Sequence, residues 1–119
     1  MGRLRVSVLD VMTGDIHINE LVGKIRASPL WASTVVIVTY DENGGFWDHV
    51  PPPKGDQWGP GTRVPAIVIS PFAKQGYVDS TTYETTSITA LIEHRWGLAA
   101  LGTRDANDAD LSNAFNFGP

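Results

Sequence analysis

The chain contains no cysteine. Disulfides, zinc–thiolate centres and cysteine nucleophiles are therefore excluded, and the redox compartment stays open, because a thiol-free chain suits reducing and oxidising surroundings alike. Positive charge is scarce: 9 Lys and Arg stand against 13 Asp and Glu, a formal net charge of −4. No basic stripe is present to neutralise phosphates, which argues against a nucleic-acid partner. No apolar run approaches the roughly 18 residues of a membrane-spanning helix. The opening MGRLRVSVLDVMTGD holds two arginines but no apolar stretch of signal-peptide length, so the chain as it stands reads as soluble and without an export address. A phosphate-cradling G-K-S/T loop is missing, and Ser70 and Ser87 lack the setting of a nucleophile elbow.

What is present fits one globular domain spanning residues 1–119, with 42% hydrophobic and 18% charged residues. Residues 4–12 carry alternating Leu4, Val6 and Val8, which predicts a short edge strand. In HINELVGKIRAS, Ile18, Leu21, Val22 and Ile25 fall at helical spacing, predicting an amphipathic helix that ends near Ser28-Pro29. Asp15, just before it, is a natural N-cap. TVVIVTY (34–40) is a continuous β-branched run of the kind found in central strands covered on both faces. RVPAIVIS (63–70) reads as a second buried strand. TTYETTSITALIEHRWGL (81–98) predicts a second helix with Ile88, Leu91 and Ile92 inward. Thr81 and Glu84 form its capping box and Gly97 its stop. The polar tail from Gly102 is expected to wrap the surface. Helix–strand–loop–strand–helix is an α/β order and favours a three-layer architecture with a mainly parallel sheet.

The stretch VVIVTYDENGGFWDHV (35–50) carries the chemistry. A buried strand ends abruptly on adjacent carboxylates, Asp41 and Glu42, at the position where open α/β sheets bind ligands. Two acids there suit a hard or borderline divalent cation through oxygen ligands. The competing reading is a hairpin turned by Asn43-Gly44, although the proline-rich FWDHVPPP is a poor return strand. His49 is either a ligand, a proton donor or a plain surface residue. His94, between Glu93 and Arg95, reads as a solvated helix residue. Arg63 has the fork to take a phosphate, and equally to pair with a neighbouring acid. Phe46, Trp47 and Trp58 either line a cleft or pack the glycine- and proline-dense loop between the strands. A loop that long usually persists because it is functional.

TYDENGGFWDHV, GPGTRVPAIVISPFAKQGYVD and TTSI…IEHRWGL, in this order and spacing, resemble the phosphoesterase family of bacterial phospholipases C and acid phosphatases, within the alkaline phosphatase-like superfamily. The resemblance runs from about Gly14 to Phe117, and the closing DLSNAFNF looks nearest the acid phosphatase branch. It implies an alkaline phosphatase-like α/β fold and hydrolysis of a phosphate ester assisted by a divalent metal ion. Asp41 and Glu42 would be metal ligands, and His17 in GDIHI and His49 would assist catalysis; Arg63 is the candidate substrate-binding residue on the chemistry of its fork alone. The resemblance further implies attack on phosphorus by a hydroxyl nucleophile through a phosphoenzyme. Family members are several hundred residues long and carry that nucleophile, with an early Glu-Asn metal-binding pair, N-terminal to the region resembled here. The chain is therefore expected to act as the C-terminal portion of such a catalytic domain, binding metal weakly and turning over little by itself. Relatives are often exported, so the compartment stays open. The rival expectation is a catalytically inactive α/β module, exposing apolar surface and assembling as a homo-oligomer through a sheet edge.

Overall fold

A computed structural model describes residues 11–118. The strand expected at Leu4, Val6 and Val8 lies outside the described residues. Val11 and Met12 open a helix, α1 (Val11–Arg26), about one and a half turns earlier than the apolar spacing suggested. Asp15 and His17 thus sit inside α1 and not ahead of it. The expected stripe of α1 is only partly covered: Val22 is buried and Ile25 half-buried, while Ile18 and Leu21 are exposed. Ser28 then caps a short 3-10 helix (Pro29–Ser33), its hydroxyl accepting from the Leu30 amide at 3.2 Å.

β1 (Val36–Thr39) and β2 (Ala66–Ile69) pair antiparallel, with Val36 opposite Ile69 and Thr39 opposite Ala66. Mixed helix and strand are as expected, but this pair does not run parallel. The reason lies in the connection. A parallel pair needs a crossover, usually helical, whereas residues 40–65 contain no helix and return the chain to the end it left. Continuous burial of both strands is not met either, since Ile67 is 58% exposed.

α2 (Thr86–Trp96) stops as expected at Gly97, whose φ of 63° is the left-handed conformation glycine tolerates. Leu98 N–H closes the end on Glu93 C=O at 2.9 Å. The start differs from the Thr81–Glu84 capping box. Thr81 donates its amide to Asp79, and the Glu84 amide is taken by the Ser87 hydroxyl. The inward face of α2 is Ser87, Ala90 and Glu93, with Ile92 exposed.

The tail is not a polar wrapping. Asp110 caps a second 3-10 helix (Leu111–Ala114), and Leu111 and Phe115 join Val22 and Ala90 as the buried apolar residues. Phe115 bridges Ala73, and its ring stacks on Phe117 at 5.1 Å. His94 on α2 lies on the solvated face as expected, and is also tied to this tail through Nδ1, 2.7 Å from Asp110 Oδ2.

The accessible surface is 9928 Å², against about 6300 Å² for a closed domain of this mass. The radius of gyration is 17.0 Å, against about 13.5 Å for a compact chain of this length. Both say that the described elements leave much apolar surface open, Trp47, Trp58 and Ile67 included.

Candidate functional site

Three pieces of chain meet at the C-terminal end of β1. Thr39, the last residue of that strand, donates its hydroxyl to Pro65 C=O at 2.9 Å, which ties the strand end to the segment entering β2. Beyond it, Asn43 and Gly44–Phe46 form a tight turn. Phe46 N–H reaches Asn43 C=O at 3.0 Å, and both central glycines take positive φ, 63° and 78°. The Asn-Gly turn is therefore real, but it reverses no ribbon, because no strand follows it directly. Its consequence is to leave Asp41 and Glu42 at the mouth of a turn. Together with Gly61, Thr62 and Thr85 they line a small cavity of about 150 Å³.

The far wall of that cavity is held by an ion pair. Arg63 Nε donates to Asp48 Oδ2 at 2.9 Å and Nη2 to Oδ1 at 2.8 Å, a two-pronged clasp between the two ends of residues 48–63. The Val50 amide also donates to Asp48 Oδ1, at 2.9 Å. The Arg63 guanidinium and that amide hold the Asp48 carboxyl well below the usual range, and Asp48 in turn raises Arg63. The arginine read as a phosphate fork thus spends two of its donors on an acid. It borders a larger groove, of about 950 Å³, that adjoins the small cavity through Pro60–Thr62, Val64 and Thr85.

The groove's own acids are all engaged. Asp79 accepts from the Thr81 amide, Tyr83 hydroxyl and Asn113 amide group, and that set of donors, the Thr81 amide foremost, draws it to about 2. Asp56 accepts from the Trp58 and Gly59 amides at 2.8 and 3.0 Å. Glu84 pairs with Arg104, and Asp108 receives the Thr86 hydroxyl. Asp41 and Glu42 differ: among the described residues neither carboxylate takes a hydrogen bond or an ion-pair partner. Two adjacent charges without a partner repel each other, and a cation between them removes that cost.

The other expected residues are not brought to this cavity. His17 lies exposed on α1 and lines neither space. His49 is 74% exposed, its Nδ1 3.7 Å from Asp48 Oδ1 and its ring 6.3 Å from Trp47. No group of three or more His, Asp or Glu side chains poised to share a cation occurs among the described residues. Sequence reading missed Thr62 and Thr85. The hint for Thr85 was three successive hydroxyls, Thr85-Thr86-Ser87, at a helix start; for Thr62 there was none, because the Asp48–Arg63 clasp that places it spans 15 positions.

Known proteins share this arrangement of sequence. The model of the phosphoesterase family matches residues 7–99. Non-hemolytic phospholipase C of Pseudomonas aeruginosa is 34% identical over 78% of this chain and 18% of its own length. Non-specific phospholipase C6 of Arabidopsis thaliana is 36% identical over 82% of the chain and 24% of its length. Phospholipase C A of Mycobacterium tuberculosis is 36% identical over 92% of the chain and 26% of its length. The chain therefore spans about a fifth to a quarter of the curated relatives it matches.

Proposed function

The chain belongs to the phosphoesterase family, and from that premise we propose that it serves hydrolysis of a phosphate ester by holding a divalent cation between Asp41 and Glu42. The observation that carries this reading is the contrast among acids: those around the groove are bonded, while the two at the end of β1 face one cavity unpartnered. The donor set fits a hard cation. Carboxylates with no thiol or imidazole beside them suit magnesium, manganese or calcium, which complete their shells with water and substrate oxygens. Such an ion, when bound, supplies Lewis-acid polarisation of a phosphoryl oxygen and offsets charge developing there.

The chain's own residues orient and enclose. Asp48 and Arg63 fix the segment 60–64 opposite the carboxylates, and Thr39 anchors the strand end. Arg63 acts here as a positioning residue through Asp48, with Nη1 left for a substrate oxygen in the groove. His49 stands beside Asp48, which Arg63 clasps, and is the histidine assigned to serve a proton; neither it nor His17 lines either cavity. Attack on phosphorus is assigned to no residue of this chain. The substrate is a phospholipid or a small phosphomonoester, as a phospholipase C or an acid phosphatase would take. The strand pair is read as part of a larger, three-layer, mainly parallel sheet in which β1–β2 form an antiparallel element.

A second reading, an oligomerising module without catalysis, is favoured by the large open surface. One set of measurements separates them. With manganese present the purified chain is expected to bind orthophosphate, and without manganese it is not; hydrolysis of p-nitrophenyl phosphate stays far below an ordinary enzyme rate of about 10 per second. Absence of manganese binding, together with a dimer in sedimentation, would replace the first reading by the second.

A further inference from the structure

We propose that the hydroxyls of Thr85 and Thr62 are the donors that receive the phosphoryl oxygens of the substrate, which makes them specificity-determining residues of the site. This rests on the cation reading above and goes beyond it, because a cation between carboxylates does not by itself orient a tetrahedral group. Two carboxylates accept hydrogen bonds and repel phosphate, so donors are needed on the opposite side.

The start of α2 shows why Thr85 is free for this role. Three hydroxyls stand in a row. Thr86 Oγ1 is spent on Asp108 and Ser87 Oγ on the Glu84 amide at 3.1 Å. Thr85 occupies the capping position, where a threonine ordinarily accepts an amide of the first turn. It does not: its backbone is already helical, with φ −59° and ψ −34°, and its side chain caps nothing. The Ile88 amide goes instead to Thr85 C=O at 3.2 Å. A cap residue relieved of capping lines the small cavity with Asp41 and Glu42.

Thr62 arrives from the other side. It sits between Gly61, at φ 80°, and Arg63, whose clasp on Asp48 sets the position of this short segment. Its hydroxyl has no hydrogen-bond partner among the described residues, and it lines the same cavity. Three separate elements thus deliver two acceptors and two donors to one space. About 150 Å³ admits a cation and a phosphoryl group but not an alcohol moiety of any size. That part of the ester belongs in the adjoining groove, where Ile37, Pro51–Pro53 and Ile88 offer an apolar wall.

The test is calorimetric titration of orthophosphate into the manganese-loaded full chain. Thr85→Val is expected to weaken phosphate about tenfold, the fold-change for losing one hydrogen bond to a charged oxygen, and Thr62→Val to do likewise. Thr85→Ser, which keeps the hydroxyl, should bind phosphate as the parent does. Manganese affinity should be unchanged in all three, and helix content by circular dichroism serves as the check on folding. Phosphate binding by Thr85→Val equal to the parent, with manganese bound normally, overturns this proposal and leaves the cation reading standing. Failure of the parent chain to bind manganese at all overturns both. A loss in Thr85→Ser equal to that in Thr85→Val would mark the position as structural and also overturn it.

Discussion

Replacing Asp41 by Asn and Glu42 by Gln together is expected to weaken manganese binding by at least about 100-fold, the upper end of what removing a mere supporting partner of a metal ligand costs. The double change keeps size and hydrogen-bonding capacity and deletes two negative charges. Neither carboxylate is bonded to protein among the described residues, so removing its charge breaks no internal contact. Stability should therefore hold or rise slightly, since two adjacent like charges are relieved. This opposite movement of affinity and stability is the useful feature. A structural acid such as Asp79, which binds three donors, would lose stability on the same kind of substitution. Each single variant should retain part of the affinity. A double variant that binds manganese as the parent does would remove the cation from this end of β1.

The second large effect concerns two acids that serve no site. Glu93 and Asp105 are each 5% exposed and face one another under the turn that follows α2. The Leu101 amide is shared between Glu93 Oε1 at 3.1 Å and Asp105 Oδ2 at 2.6 Å, and the Gly102 amide donates to Asp105 Oδ1 at 2.9 Å. Burial, reinforced by the hydrogen bond to Asp105, pushes Glu93 above its ordinary 4.5. Burial pushes Asp105 up as well, but the Leu101 amide and the Glu93 proton outweigh it and leave Asp105 below 3.8. The two shifts act on stability in opposite directions. A raised folded-state value means that Glu93 contributes fully below 4.5 and loses that contribution as pH rises through the raised value. A lowered value means that Asp105 contributes above 3.8 and loses its part as pH falls through the lowered value. Stability should thus peak in mildly acidic solution and decline toward neutrality.

Glu93→Gln places a permanent donor where the proton sits while keeping an oxygen for Leu101. It is expected to raise the melting temperature at pH 7 and to flatten the decline that sets in above the ordinary glutamate value. Asp105→Asn should instead lower the melting temperature at pH 7, because the amides of Leu101 and Gly102 lose a charged acceptor. Melting curves across pH 4–8 check both. Parallel parent and Glu93→Gln curves would mean that the pair holds no shared proton.

How much of this could be read from residues alone differs by element. The existence of β1, β2 and α2 followed from β-branched runs, helical spacing and the Gly97 stop, all of them local signals. Strand direction did not follow, because it depends on how residues 40–65 return, and that path is fixed by Arg63 meeting Asp48 across the loop. The start of α1 was misplaced because Val11 and Met12 fall in the stretch, residues 4–12, whose alternating apolar residues read as an edge strand. The tail was misjudged because Leu111 and Phe115 are isolated apolar residues in polar company, and only long-range contacts, α2 against the second 3-10 helix and the Ala73–Phe115 bridge, give them a core to enter. At the candidate site, Asp41 and Glu42 were visible as an anomaly at a strand end. Arg63 was visible too, but which anion it takes was open until Asp48 was placed beside it.

A divalent cation held between Asp41 and Glu42 can be located by adding manganese in less than equimolar amount to the isotope-labelled chain. Paramagnetic broadening falls steeply with distance, so the amide signals lost first mark the ion's position. Asp41, Glu42 and Asn43 are expected to fade first and Gly61, Thr62 and Thr85 with them, while α1 persists. Early loss at Asp15, His17 and Glu20 on α1, with Asp41 and Glu42 unaffected, would contradict it.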